Sequence, residues 1–290
     1  MEDEKVLYII GNGFDRAHGL KTDYKDFIKY CEKNQYNGNK ELIERCLDDN
    51  VDILWTQFEQ SLGELDFHNI IEEAGEDYEE SEFSYTKMFA VKESICDLFK
   101  SWIKSIEIHT VPMFKFTKDD YFITFNYTNT LEKIYHIDKS QIYHIHGEIN
   151  DIIFGHNNCI KLRDRLTDVH EGYEEMPNNI FNLNSMACNI LEEFKKPIKD
   201  IIKKFSHSKF YSQIKNIKKM IILGHSINDI DLSYYRFLFD KLNFEIIECT
   251  YYKGDDKYKF YRKLSKIKNS RARLLIFPIK NYMQSSLSHI

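Results

Sequence analysis

Four short apolar runs in this sequence each end in a cluster of residues that could do chemistry. The clusters are Gly11-Asn12-Gly13, Asn126-Tyr127-Thr128, His146-Gly147 and Gly224-His225-Ser226. Near-continuous apolar runs are typical of strands buried on both faces of a parallel sheet. Because ligands in open α/β folds bind just beyond the carboxyl ends of such strands, we predict that the four clusters form one composite site.

The first cluster is a glycine turn between the predicted strand Val6–Ile10 and a helix. Glycines there permit a tight turn and a close approach of backbone to phosphate, although a plain strand-to-helix turn fits equally well. Arg16 stands where the dinucleotide fingerprint places its third glycine, so the motif is not one for ordinary hydride transfer. Asp15 would add negative charge beside a phosphate, and we interpret it as a helix cap or an acceptor for a ribose hydroxyl.

The next two clusters offer an amide and an imidazole. Asn126 has donors and an acceptor, so it can hold a ribose hydroxyl or orient a water molecule. His144 and His146 are two positions apart on a predicted strand, which places them on one face. We favour His146 as a general base, because imidazole exchanges protons near neutral pH, and we predict no metal site. The alternatives are a turn-forming Asn and a hydrogen-bonded core His.

The last cluster comes late in the chain and can contact hydroxyls or phosphates. Gly224 permits close approach of a ligand, and Ser226 and Asn228 can form hydrogen bonds to it. Asp229 or Asp231 fits as the N-cap of the following helix.

Strands and helices alternate along the chain, which predicts an α/β fold with a Rossmann-like, mostly parallel sheet and helices on both faces. The predicted strands are Val6–Ile10, Tyr121–Phe125, Ile142–His146, Met220–Leu223, Phe244–Tyr252 and Leu274–Ile279, with Asp151–Gly155 as the hairpin partner of Ile142–His146. The predicted helices cover 23–33, 40–48, 53–65, 86–108, 130–135, 232–242 and 257–267. The acidic stretch 72–82 between two of them is interpreted as a solvated loop or a frayed helix face. We treat 1–290 as a single domain with helical segments over 23–108 and a helical insertion over about 160–219.

Composition excludes several classes of function. The net charge of −6 gives no overall attraction to nucleic acid or to anionic membranes. No apolar stretch approaches the about 20 residues that span a bilayer, and the first residues do not form a secretory signal. The 6 cysteines form no C-x-x-C pair, which indicates reduced thiols rather than a zinc site. We therefore expect a cytoplasmic protein.

Taken in order, these motifs resemble the AbiH family of bacterial abortive-infection proteins over most of the chain. The residues that carry the resemblance are Ile9-Ile10-Gly11-Asn12-Gly13-Phe14-Asp15, His18-Gly19-Leu20, Tyr24, Trp55-x-x-Phe58-Glu59, Phe125-Asn126-Tyr127-Thr128, His144-Ile145-His146-Gly147, Phe154-Gly155-His156, Gly224-His225-Ser226, Asp229 and Asp231. The order is also similar, more distantly, to the sirtuin-like NAD-binding fold.

The sirtuin-like resemblance implies a role for each cluster. Asn126 would face the nicotinamide ribose and His146 would be the catalytic base. The residues implied to bind the nucleotide are Gly11, Asn12, Gly13, Asp15, Gly147, Gly224 and Ser226. The chain lacks the zinc module of sirtuin deacylases, and it has Asp15 where they usually have Ser and Thr128 where they have Asp. The resemblance therefore implies NAD as ligand or substrate, hydrolysed to nicotinamide and ADP-ribose, rather than protein deacylation.

Two other functions compete with NAD hydrolysis. A non-catalytic nucleotide sensor would need the same site, because binding and hydrolysis both require residues that hold the nucleotide. An RNA-cleaving toxin is suggested by the spacing of Arg165 and His170 and by the lysine-rich segment 195–204, although both patterns arise readily by chance. We expect a nucleotide ligand and no membrane partner, with a homo-oligomer, a phage trigger or a partner protein as further candidates.

Overall fold

The computed structural model describes residues 5–46, 58–63, 65–74, 78–157, 178–267 and 272–283. The chain divides into two compact units. The first comprises Met1–Thr22, Ile106–Ile152 and Pro197–Ile290, and the second comprises Asp23–Ser105 and Ile153–Lys196. The described helices, in chain order, are α1 (Asn12–Ala17), α2 (Tyr24–Lys33), α3 (Lys40–Cys46), α4 (Phe58–Ser61), α5 (His68–Ala74), α6 (Tyr78–Ser105), α7 (Thr130–Tyr135), α8 (Asn178–Glu193), α9 (Ile198–Ser206), α10 (Lys209–Ile214), α11 (Leu232–Lys241) and α12 (Gly254–Ile267).

The first unit is built on a parallel sheet, which confirms the predicted α/β class. Its strands are β1 (Val6–Ile10), β2 (Tyr121–Thr124), β3 (Ile142–His144), β4 (Lys219–Leu223), β5 (Ile246–Tyr251) and β6 (Arg273–Pro278). They lie in the order β3-β2-β1-β4-β5-β6, and every pair is parallel. This is the order of a Rossmann-like sheet, in which the direction of winding reverses between β1 and β4.

The central strands form where the apolar runs are continuous. Residues 7–10 of β1 and 220–223 of β4 are buried throughout, so both faces of the sheet are covered. One face packs a cluster that includes Tyr8, Phe14 and Phe122, and the Phe14 and Phe114 rings stack with centroids 5.2 Å apart. Since Ile10 pairs with Thr124 on one side and Leu223 on the other, three strands end at the same level.

Two predictions for the region after β2 are wrong. The strand β3 ends at His144, so His146 lies in a turn and not on the strand. The segment 151–155 forms no strand and therefore no hairpin. The chain turns instead at Gly147, whose φ is +79°, and a Cβ there would lie 1.8 Å from the Asp151 carbonyl oxygen. This close packing of the turn leaves the segment after it unable to run back along β3.

The second unit is helical in its described residues, and it contains α2–α6 and α8. Helix α2 begins as predicted after Asp23, whose backbone N–H donates to the Asp26 carboxylate at 3.2 Å. Of the two interpretations of the acidic stretch, the described residues fit the solvated helix face, because α5 and α6 extend into it from both sides, while residues 75–77 lie outside the described part. The side chains of Glu72, Glu73 and Glu82, at the two ends of the stretch, are exposed, so these parts of the helices bury no charge.

The predicted insertion over 160–219 is divided in the structure. Helix α8 belongs to the second unit, whereas α9 and α10 belong to the first. The buried Ile201 and Phe205 of α9 lie on one face of that helix, as the apolar spacing predicts. Residues 158–177 lie outside the described residues, as do 53–57 and 64 of the predicted helix 53–65.

Candidate active site

The glycine turn after β1 packs directly on the turn after β4. The Gly13 N–H donates to the Gly224 carbonyl at 2.7 Å. A Cβ on Gly11 would lie 2.5 Å from the Cα of His225, and one on Gly224, where φ is +69°, would lie 2.3 Å from the Phe14 nitrogen. The glycines are therefore required for backbone contact between the two turns. The Gly13 N–H, which a phosphate would need, already donates its hydrogen bond to Gly224.

Asn12 and Tyr252 complete this turn. The Asn12 side-chain amide donates to the Thr22 carbonyl at 2.8 Å, which fastens the turn to the residues that follow α1. The Tyr252 hydroxyl, just after β5, donates to the Gly13 carbonyl at 3.0 Å. The Tyr252 side chain is exposed. The sequence-based analysis did not identify it, because a single Tyr after a strand carries no distinctive pattern.

Asp15 is buried beneath the turn. Its two carboxylate oxygens accept hydrogen bonds from the hydroxyls of Thr128 at 2.5 Å and Thr130 at 2.8 Å. Helix α1 has Gly11 as its N-cap, so the interpretation of Asp15 as the cap is wrong. Burial raises the pKa of Asp15 from the usual 3.8 to about 6, against the lowering effect of hydrogen bonds from Thr128, Thr130 and Asn126.

Asn126 joins the end of β2 to the glycine turn. Its side-chain amide donates to the Gly11 carbonyl at 3.2 Å, and its backbone N–H donates to the Thr124 hydroxyl at 3.0 Å. Its side chain also contacts Asp15, as the hydrogen bond affecting that carboxyl shows. Asn126 is therefore oriented by groups that come from the glycine turn, β2 and α1.

His146 is buried in an aromatic pocket at the end of β3, and only 4% of it is exposed. The Phe125 and Tyr234 rings contact it edge-on, with centroids 5.1 and 5.7 Å away. Its Nε2 lies 3.8 Å from Oδ1 of Asp231. His144 was expected on the same face, but its Nε2 lies 2.9 Å from the Glu132 carboxylate on α7. The two imidazoles thus have different carboxylate neighbours, because His146 lies in the turn after the strand has ended.

His225 and Asp231 are the residues that sequence reasoning missed. The Ile227 N–H donates to Nδ1 of His225 at 2.9 Å, and Nε2 of His225 lies 3.5 Å from Oδ2 of Asp231. Asp231 is the N-cap residue of α11, as one of the two predicted candidates, but its carboxylate makes no capping hydrogen bond to that helix. The spacing of Gly224-His225-Ser226 and Asp231 was visible in the sequence. Its meaning was not, since an Asp before a helix is ordinarily a cap.

The backbone beside His225 is held in a costly conformation. Ile227 is fully buried and has φ of +52°, a region that β-branched residues rarely adopt. Its N–H donates to His225 and its carbonyl accepts from Lys263 at 2.9 Å, so both of its peptide groups are fixed. Strain of this kind concentrates at functional sites.

The remaining predicted site residues have different surroundings. Gly147 forms the turn that carries His146, with its N–H donating to the His144 carbonyl at 3.2 Å. Ser226 is exposed beside the buried His225. Arg165 and His170 lie outside the described residues. In the described part of the chain, no group of three or more His, Cys, Asp or Glu is placed to hold a metal ion.

Two motif residues of the second unit, Glu59 and His156, form a separate group with the buried Lys196. The Lys196 ammonium, fully buried, lies 2.8 Å from the Glu59 carboxylate. His156 is also fully buried, and its Nε2 lies 2.8 Å from the Leu191 carbonyl. A Cβ on Gly63 would lie 2.7 Å from the His156 ring. The motifs Trp55-x-x-Phe58-Glu59 and Phe154-Gly155-His156 thus contribute Glu59 and His156 to the interior of this unit.

Comparison with known proteins gives one match. A family model described as Bacteriophage abortive infection AbiH matches residues 7–253. No curated protein and no solved structure matches the chain. Every predicted site residue from Gly11 to Ser226 lies within the matched range, as do His225, Asp231 and Tyr252. Among the helices of the described residues, none is both long and apolar enough to cross a lipid bilayer.

Proposed function

This chain belongs to the AbiH family of bacteriophage abortive infection proteins, and from that premise we propose that it hydrolyses NAD to nicotinamide and ADP-ribose. The observation that carries the proposal is the placement of Asn126, His146 and His225 directly after β2, β3 and β4, with Phe125 and Asp231 beside both histidines. These ends lie around the point where the strand order reverses, which is where open α/β sheets bind nucleotides. An amide and an imidazole are the groups that a ribose and an attacking water require.

The reaction replaces one bond to the ribose with another. The bond between the ribose C1′ and the nicotinamide nitrogen breaks, through an oxocarbenium-like state of the kind met in glycoside hydrolysis. Nicotinamide leaves neutral, with the bonding electron pair. A water oxygen forms the new bond to C1′, and His146 accepts the proton that this water gives up. Because the leaving group departs without a proton, the site needs a base more than an acid.

Asn126 orients the ribose hydroxyl or the water, and Asp15 acts through it. The buried Asp15 carboxylate holds Thr128 and Thr130 and contacts Asn126, so its charge lies behind the amide. This placement favours a role in positioning Asn126 over direct contact with the ribose cation. The diphosphate of NAD would lie outside the glycine turn, since the Gly13 amide is engaged with Gly224.

The direct test is the release of nicotinamide and ADP-ribose from NAD by the purified protein, followed by chromatography. We expect His146→Ala to slow release by at least about 100-fold, since general base catalysis contributes about 10²–10⁴-fold. The matched control is His207→Ala, because His207 is an exposed histidine of the same unit at the end of α9. Circular dichroism and thermal unfolding establish that both variants are folded. Equal rates for the wild type and a folded His146→Ala variant would remove His146 from the reaction.

A nucleotide sensor is the second candidate, and the burial of His146 favours it. With only 4% of the residue exposed, a ligand reaches the imidazole only if surrounding side chains move. A sensor would use that movement as its signal. Calorimetric binding of NAD without any release of nicotinamide would support sensing over hydrolysis.

A further inference from the structure

We propose that Asp231 is a positioning residue whose single carboxylate orients both His146 and His225. The inference rests on the proposed function only for its catalytic consequence. The arrangement of the three side chains can be tested without any substrate. It also assigns a role to the late motif Gly224-His225-Ser226 with Asp231, which sequence reasoning assigned to ligand contacts and helix capping.

The geometry places one carboxylate oxygen toward each ring. Oδ1 of Asp231 lies 3.8 Å from Nε2 of His146, and Oδ2 lies 3.5 Å from Nε2 of His225. All three side chains are buried, so the charge of the carboxylate acts through little solvent. Both distances exceed those of strong hydrogen bonds, but catalytic hydrogen bonds are often long before substrate binds.

The tautomer of His225 follows from its other nitrogen. The Ile227 N–H donates to Nδ1 of His225, so Nδ1 is an acceptor and the ring proton must be on Nε2. That proton points toward Oδ2 of Asp231. A neutral His225 donor stabilises the ionised form of the carboxylate.

An ionised Asp231 then acts on His146. Its negative charge favours a proton on Nε2 of His146, which leaves the lone pair on Nδ1 to accept a proton from water. When His146 accepts that proton it becomes positively charged, and the carboxylate 3.8 Å away stabilises the charge. Asp231 itself gains and loses no proton in the step.

Aromatic packing keeps both rings facing the carboxylate. The Phe125 ring contacts His146 and His225 together, with centroids 5.1 and 4.3 Å away. Tyr234 and Tyr235, neighbours on α11, each contact one of the two imidazoles, at 5.7 and 5.5 Å. Because α11 begins immediately after Asp231, one short segment supplies both the carboxylate and the rings that confine its partners.

The first test reads the tautomers of the two histidines by nitrogen NMR of the wild-type protein, with ring signals assigned by His146→Gln and His225→Gln. We expect a proton on Nε2 of both rings. Asp231→Asn presents an amide that donates to one ring, so we expect His146 to lose its Nε2 proton and carry it on Nδ1. A proton on Nδ1 of His225 in the wild type, or His146 signals unchanged by Asp231→Asn, would overturn the assignment.

The second test measures the catalytic consequence. We expect Asp231→Asn to lower kcat for nicotinamide release by at least about 10-fold, with KM changed less than about threefold, since an Asp that orients a general-base His in hydrolytic triads contributes at least this much. The matched control is Asp229→Asn, because Asp229 lies two positions away, is exposed and pairs with Lys263 at 2.6 Å. An equal loss in both variants would contradict the role of Asp231. A wild type that releases no nicotinamide would refute NAD hydrolysis, while the NMR result would still decide the shared carboxylate.

Discussion

The two units of this protein each bury a group of charged and imidazole side chains, and the groups differ in how closely their members pair. In the second unit, Lys196 and Glu59 are 2.8 Å apart. In the first unit, Asp231 lies 3.5 and 3.8 Å from two histidines. We call the first group the helical-unit cluster (Glu59, His156, Lys196) and the second the strand-end cluster (His146, His225, Asp231).

We interpret this difference as one between a structural role and the chemical role proposed for the strand-end cluster. A buried charge with a close opposite charge stabilises one arrangement, and removing either partner leaves the other uncompensated. Where a carboxylate and an imidazole lie slightly farther apart, their attraction can instead increase when the imidazole gains a proton and becomes positively charged. Both clusters contain motif residues of the AbiH family, so the family pattern marks the interior of one unit as well as the candidate site of the other.

The largest effect on stability is expected at the helical-unit cluster. Glu59→Gln leaves the Lys196 ammonium buried without its counter-charge, which should lower the free energy of unfolding by about 3–5 kcal/mol. The control is Glu192→Gln, since Glu192 pairs with Lys195 at 3.0 Å on the surface and should cost about 0–1 kcal/mol. Urea denaturation measures both. Similar small losses of unfolding free energy in the two variants would show that Glu59 is not needed to compensate the buried charge of Lys196.

A smaller effect is expected where the two turns of the first unit meet. In Gly224→Ala the new methyl group would lie 2.3 Å from the Phe14 nitrogen, and the residue keeps φ of +69°, so we expect a loss of about 3 kcal/mol. Gly19→Ala is the matched control, because Gly19 has φ of +75° with nothing within 4 Å. It should cost only the backbone term of about 1–2 kcal/mol. Equal losses in thermal unfolding would mean that the turns do not pack as closely as described.

The smallest effect is a gain in stability at Asp15. Its pKa is raised to about 6 in the folded protein, so folding is favoured by a protonated carboxyl, fully below pH 3.8, and this contribution is lost as the pH rises through about 6. At about pH 8 the ionised Asp15 therefore costs up to about 3 kcal/mol. Asp15→Asn should recover much of this at about pH 8 and little at about pH 4.

Urea denaturation of Asp15→Asn and wild type at the two pH values checks this expectation. If Asp15 positions Asn126 as proposed, the stabilised variant also loses NAD hydrolysis. A variant that is more stable and equally active would limit Asp15 to a structural role.

Much of the fold could be predicted because strands buried on both faces require apolar residues at consecutive positions. The strands β1, β2 and β4 lie within a residue of their predicted ranges, and the prediction of a parallel sheet is confirmed. The hairpin at 151–155 was wrong because alternation of apolar residues does not reveal that Gly147 turns the chain sharply. Helix α6 begins well before its predicted start, because Glu is a good helix former and acidic residues in the first turns interact favourably with the helix dipole.

The candidate site was predicted less completely than the fold. The position of Asn126 and His146 at strand ends follows from the sequence, because both residues come directly after apolar runs. The proximity of Asp231 to two histidines does not follow from the sequence. His146 is distant along the chain from the other two residues, and Asp231 resembles an ordinary helix cap. Glycines that were expected to approach phosphate turned out to contact the opposite turn.

The sequence by itself determined the α/β class, the approximate strands and the membership of the AbiH family, because these depend on local patterns of burial and on motif order. Only the tertiary structure decided that Asp15 is buried behind Asn126 and that His144 and His146 have different carboxylate neighbours. It also decided that Asp231 lies between two imidazoles. The physical reason is that these three arrangements depend on distances between side chains that the order of strands in the sheet brings together. Spacing along the chain does not encode those distances.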